Sequence, residues 1–299
     1  MRNKRANLIA SLIVFGILGA GLGWIAYMPI RQERLNRALI VAIKHDRTRQ
    51  ALDLLAEGAD ANSRDEPLQY LSLWRLLVDE LQGKQPADSM APTALWLACY
   101  YGADDLIRKP APDNWHIIEA LLERGAQVNV TDKETGETPL LQAAILNKTK
   151  VCQLLVERGA NVNVTDRNGG TPLLWAIGNK TLVRLLVNKG ADVKAGINSK
   201  ALMDEQFSHN DDPTITELLL SRGARVDAVD HSSGNYTALD VACVIGRIRS
   251  VRLLIQHGAN VNLMTSDGET PLTLAKEWQH PTIVHILRKA GAKWHASSQ

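Results

Sequence analysis

TPLLQAAILNKTKVCQLLVERGANVNVTD, residues 138–166, carries the pattern that decides the fold. Thr138 and Pro139 suit a helix start: a Thr hydroxyl caps orphan backbone donors, and Pro tolerates a first turn whose N–H is unpaired anyway. Ala143 and Ala144 are small enough to let neighbouring elements approach. Leu154 and Leu155 belong to a second helix, which Gly159 ends because a helix C-terminus favours a left-handed residue. Val162 and Asn163 then lead into a turn. The same order recurs in TALDVACVIGRIRSVRLLIQHGANVN, residues 237–262. The helix-ending glycines are Gly58, Gly125, Gly159, Gly190, Gly223, Gly258 and Gly291; from Gly125 onward they are 34, 31, 33, 35 and 33 residues apart. A fixed period in this range is the mark of stacked repeats.

The Thr-Pro-Leu…Ala-Ala…Leu-Leu…Gly-Ala-x-Val-Asn pattern resembles the ankyrin repeat. The resemblance runs from about residue 34 to 294 and implies an all-α solenoid of about seven helix-turn-helix units that binds other molecules and has no catalytic machinery. The repeats are expected at about 34–65, 92–132, 138–166, 171–194, 198–230, 236–267 and 270–299, within a domain spanning 31–299. Repeat 1 lacks Thr-Pro, as a terminal capping repeat can. Repeat 2 carries 11 extra residues between its helices, within 103–115, because Thr93 to Gly125 spans 32 positions against 21 from Thr138 to Gly159. Repeat 4 is two residues short, and repeat 5 has lost Thr-Pro and most of its small residues. Residues 66–91 form an insert in which Leu68, Leu71, Trp74, Val78 and Leu81 recur at helical spacing. It reads either as a lid over repeat 1 or as a projecting element. The His that follows Thr-Pro-Leu in the family is replaced by Ile40, Trp96, Leu141, Leu174, Asp240 and Thr273, which removes a hydrogen bond used between neighbouring repeats.

The amino end reads differently. Residues 1–5 are a short basic tail, and no charged residue occurs from Ala6 to Ile30. As a helix those 25 residues would span about 37 Å, against roughly 30 Å of bilayer hydrocarbon. The expectation is a transmembrane signal anchor over 6–30 preceding the solenoid, with Trp24 and Tyr27 at the interface. A cleaved signal peptide is the alternative, although no convincing small-residue cleavage site follows. This places the chain as a single-pass protein of a bacterial inner membrane, its repeats in the periplasm. Basic residues flank both sides of the stretch, so orientation stays open. Gly19 and Gly23 form a G-x-x-x-G pair suited to close helix packing, and so to a homodimer.

The full chain has 34 Lys+Arg and 32 Asp+Glu, a formal net charge of +2, which argues against a dedicated nucleic-acid surface. Cys99 and Cys243 occupy the second-Ala place of their repeats and read as small buried core residues, and three cysteines are too few for a disulfide framework. The eight histidines show no H-E-x-x-H and no Cys pair has zinc spacing. No Walker-type loop, G-x-S-x-G or dinucleotide fingerprint occurs. Asp211 and Asp212, before Pro213, read as a turn and helix start. No enzyme activity, cofactor or metal is expected.

The resemblance implies binding through a concave face made of the first helices and turn tips. The positions after the Ala pair are Tyr100 and Tyr101, Ile145 and Leu146, Val244 and Ile245, and Glu277 and Trp278. Apolar and aromatic side chains there suit an interface. Glu134, Glu137 and Arg167 at the turn tips would add polar contacts of mixed sign, which fits a protein partner and not a nucleic acid. The partner could be an effector or an envelope enzyme. The alternatives are an envelope immunity protein that neutralises a toxic effector, and a homo-oligomeric assembly factor.

Overall fold

The computed structural model describes residues 31–65, 92–101, 115–194, 201–206, 212–229 and 234–294. Contacts divide the chain into two compact bodies, Met1–Glu134 and Thr135–Gln299. In the first lie α1 (residues 31–44), α2 (Thr48–Ala56), α3 (Ala94–Tyr100) and α4 (Trp115–Glu123). In the second lie α5 (Pro139–Ile145), α6 (Thr149–Glu157), α7 (Pro172–Trp175), α8 (Lys180–Asn188), α9 (Ala201–Glu205), α10 (Thr214–Ser221), α11 (Ala238–Ile245), α12 (Ile248–Gln256), α13 (Pro271–Glu277) and α14 (Pro281–Lys289). No strand occurs among the described residues; Arg64 and Thr93 form a single antiparallel bridge.

Each first helix with a Thr start is capped as its sequence dictates. The hydroxyls of Thr93, Thr138, Thr171, Thr237 and Thr270 accept from the backbone N–H three residues on, with Pro at the first position of α5, α7 and α13. First and second helices are joined by a tight turn through a left-handed residue. Asn147 (φ 55°), Gln279 (φ 59°) and Gly246 (φ 84°) fill that place. Gly246 is required for a further reason: a Cβ there would lie 2.7 Å from the ring of His280 in the next repeat, whose Nε2 sits 3.0 Å from the Val244 carbonyl. The second helices end at glycines such as Gly159 (φ 87°) and Gly258 (φ 87°).

The apolar stripes of paired helices make the cores. Leu39, Ile43, Leu55, Leu95, Ile117, Ile118 and Leu121 are fully buried in the first body, and Leu140, Leu141, Leu155, Leu173 and Leu182 in the second. Cys99, Cys152 and Cys243 are buried and form no disulfide, and Cys99 and Cys243 fill the small-residue place the pattern gave them.

Neighbouring repeats are tied by the Asn of the Val-Asn segment. Asn163 donates to the Gly190 carbonyl (3.0 Å) and accepts from the Asp192 N–H (2.8 Å). Asn62 makes the same bridge to Gly125 and Gln127, and Asn262 to Gly291 and Lys293. Repeat 1 has no such residue before it, and its own first helix supplies the equivalent: Gln32 donates to the Gly58 carbonyl (2.9 Å), and Asn36 accepts from the Asp60 N–H (2.8 Å).

The expected membrane helix, and with it the single-pass inner-membrane location, is corrected. Among the described residues no helix is long and apolar enough to cross a membrane. The longest run, 31–44, reaches about 21 Å, short of the roughly 30 Å needed, and carries Arg31, Glu33, Arg34, Arg37 and Lys44. Residues 6–30 and the insert 66–91 lie outside the described residues, so Gly19, Gly23 and the apolar series from Leu68 to Leu81 do too.

Candidate protein-binding surface

In the second body the residues after the Ala pairs stand at the ends of the first helices. Ile145 closes α5 and Leu146 follows it, both half-buried. Val244 is half-buried and Ile245 is exposed at the end of α11. Trp278 caps α13 and is 55% exposed, with Glu277 exposed beside it. Solubility gives no reason for a Trp so exposed.

Trp175, which sequence reasoning passed over, is 47% exposed. The matching places elsewhere hold Leu97, Gln142, Val241 and Leu274, all buried. The cause is the shortened repeat: α7 is a single turn, Pro172–Trp175. The indole instead lies over the turn that precedes its helix, so that a Cβ on Gly170 would meet Trp175 Nε1 at 2.7 Å and Asp166 Oδ2 at 2.5 Å. The signal was the two missing residues, which fall just after Trp175 and end the helix there.

In the first body Tyr100 is 46% exposed and Tyr101 half-buried. Tyr100 stacks on Trp96 (ring centroids 5.4 Å apart, planes 9° apart) and meets Tyr101 edge-on at 5.0 Å. The three rings form one rigid aromatic patch.

The turn residues are less free than the sequence suggests. Glu134 is exposed, and Glu137 is half-buried, its N–H donating to Thr135 Oγ1. Arg167 is exposed but leans on the preceding turn. Its N–H points to the Thr135 carbonyl at 3.4 Å, and its Cγ lies 3.1 Å from where a Cβ on Gly136 would stand.

The first-helix side of repeats 6 and 7 is acidic. Burial raises the Glu269 carboxyl above its ordinary range, helped by the charge of Glu277, to which it is hydrogen-bonded, and by Asp267. The Tyr236 hydroxyl is also raised, by burial first and then by Glu269, Asp267, Asp240 and Glu277. Asp240 is buried in the place of the family's His. Its Oδ2 accepts from the Thr237 N–H (2.9 Å) and hydroxyl (2.7 Å), closing a capping box. Burial raises it to about 6 against the pull of those hydrogen bonds, so this carboxyl serves its own helix and not the surface. Asp212 is pushed the other way: a hydrogen bond from Lys180, then those from Thr214, hold it well below the carboxylate range. It begins α10, as a turn residue should. Among the described residues no group of His, Cys, Asp and Glu could hold a metal ion.

A solenoid with these caps, turns and inter-repeat amide bridges defines a repeat-built binding module. The family model for ankyrin repeats matches residues 111–196 and 206–298, more than half of the chain, and the protein belongs to the ankyrin repeat family. Such repeats make it a protein–protein interaction module, and modules of this family are typically not enzymes. The chain is 33% identical over 116 residues to Ankyrin repeat and SOCS box protein 11 of Danio rerio, which is 38% of this chain and 37% of that protein. The chain spans between about a tenth and about a third of the length of the curated relatives it matches. An ankyrin repeat domain from Acinetobacter baumannii is 29% identical with a TM-score of 0.55, covering 67% of this chain and 98% of its own. A chain of the Bdellovibrio bacteriovorus predatory endopeptidase Bd0816 in complex with immunity protein Bd3460 shares the fold, with 23% identity and a TM-score of 0.52 over 65% of this chain and 96% of its own.

Proposed function

We propose that the protein holds a partner protein on the first-helix ends of the Thr135–Gln299 body, with Trp278 as the main anchor. Ile145, Leu146, Val244, Ile245 and Trp175 extend the apolar surface, and Tyr100 and Tyr101 supply a second patch in the other body. The observation that carries this reading is the exposure of Trp278 (55%) and Trp175 (47%) at places where polar residues would serve solubility. Large aromatics dominate interface energetics because they bury much area at small entropic cost. Glu277 stands beside the main anchor and interacts with Glu269, so the partner segment that fits here offers apolar and cationic groups together. Arg167 and Glu137 order the adjoining turns, and Glu134 contributes from its exposed position.

Masking of a toxic effector is a special case of this binding, and the endopeptidase–immunity complex is a setting in which the same fold occurs. The test is cross-linked capture with the full chain as bait, against a variant with Ile145, Leu146, Ile245 and Trp278 replaced by Ser. A single protein captured by the native chain and lost with the variant is expected, and its identity decides whether masking is the purpose. Equal capture by both baits would remove the reading. Trp278→Ala alone is expected to cost about 2 kcal/mol of binding, roughly 30-fold in affinity.

A further inference from the structure

The second-helix side of repeats 6 and 7 carries a different surface. Helices α12 and α14 wall an open groove of about 310 Å3. The half-buried Ile255 and Ile286 make its apolar floor, while Arg252 from α12 and His285 and Lys289 from α14 stand along its walls, with Gln256 and Ala290 at its exposed edges. All three wall residues are exposed. Neither helix contains an Asp or Glu; the acids of these two repeats, Asp240, Asp267, Glu269 and Glu277, belong to α11, the turn and α13. Among the described residues Arg252 and Lys289 form no salt bridge.

Helix electrostatics account for part of this. Arg288 and Lys289 sit in the last turn of α14, where the helix dipole favours cations. That account does not reach Arg252, which is in the middle of Ile248–Gln256. Other second helices carry acids, such as Glu119 and Glu123 in α4 and Glu157 in α6, while α8 has cations alone and its Lys180 meets Asp212 of the next repeat. The groove is therefore a cationic surface without internal counter-charge, laid over an isoleucine floor.

The geometry points to a second binding site, for a short acidic polypeptide segment that presents one bulky apolar side chain between carboxylates. The lining residues occupy little more than one turn of each helix, about 6 Å, which is room for one side chain and its flanks and not for a long helix. The apolar side chain covers Ile255 and Ile286, and the carboxylates pair with Arg252 and Lys289, the guanidinium being suited to two-point contact. A phosphate chain would satisfy the cations but leave the apolar floor wet, so a polypeptide is the better complement. This site is independent of the first-helix ends, whose acidic surroundings select the opposite charge.

The probe is a dansylated heptapeptide of six glutamates around one central leucine, titrated against the full chain at low salt. Saturable binding is expected, weakened about tenfold by the Arg252→Glu, Lys289→Glu double change, and weakened further as added salt screens the exposed charges. An all-glutamate heptapeptide should bind several-fold less tightly. Where the double reversal disturbs folding, judged by its thermal melt, the neutral pair Arg252→Gln, Lys289→Gln is read instead and should lose part of the affinity. Absence of saturable binding, indifference to these substitutions, equal binding of the all-glutamate peptide, or tighter binding of an eight-nucleotide thymidine strand would each overturn the assignment.

Discussion

Repeats 6 and 7 are joined in one way and repeats 4 and 5 in another. Between 6 and 7, Asn262 bridges the Gly291 carbonyl and the Lys293 N–H, His280 reaches the Val244 carbonyl, and Ser266 N–H donates to Gly234 in the adjoining turn. Between 4 and 5 the Asn is replaced by Lys194, which stands against Gly223 and can make no such two-way bridge. The link is made instead by Arg222, which donates to the Val187 carbonyl (2.9 Å) and Asn188 Oδ1 (2.8 Å), and by the Lys180–Asp212 ion pair. Short amides aimed at backbone hold the regular junction, while long side chains over the surface hold the irregular one. The second kind costs more side-chain entropy and is screened by salt. Where stability comes from neighbour contacts, the weaker junction is the place for the array to part.

The sharpest way to break that contrast is a core truncation beside the weak junction. Leu219 is fully buried in α10, and Leu219→Ala is expected to cost about 3 kcal/mol and to split thermal unfolding into two steps. A single step shifted as a whole would mean the junctions are equally strong. The amide bridge comes next. Asn262→Ala removes two hydrogen bonds to backbone and should destabilise by about 1.5 kcal/mol, more than Arg222→Ala does, in denaturant titration.

Asp240→Asn tests the buried carboxyl of repeat 6. Because its folded value is about 6 against an ordinary 3.8, the folded state holds the proton more tightly. The stability it confers is complete below about 3.8 and falls as pH rises through about 6. Asn keeps an acceptor for Thr237 and has no charge to bury. The variant should therefore gain stability at pH 8, on the order of 3 kcal/mol at most, and lose the fall between pH 4 and 6. The smallest effect is Lys180→Ala: about 0.5 kcal/mol at low salt, vanishing in 1 M salt, because the pair is about one-third exposed.

Most of the fold was legible because its signals are local. Thr caps, Pro starts and glycine ends act within one helix, so a single sequence displays them, and each Thr predicted to cap does so. The Asn bridge was also in plain view in each Val-Asn, but its partner lies a whole repeat away, and the segment read only as a turn. The surface was half legible. Tyr100, Ile245 and Trp278 stand exposed where spacing put them, whereas Trp175 escaped notice because the place it fills is buried in the other repeats. Arg167 and Glu137 looked free because a sequence does not show one turn leaning on the next. The membrane anchor was read from a long uncharged run behind a basic tail, with Trp24 and Tyr27 near its end, and no described helix supports it.

The central claim is recognition of a protein through the first-helix ends, and hydrogen–deuterium exchange with and without the captured partner tests it most directly. The account predicts slowed exchange at residues 144–148, 175–179, 244–248 and 277–280, with the second helices α6 and α8 unchanged. Protection confined to the second helices, with exchange around Trp278 and Ile245 unaffected, would contradict it.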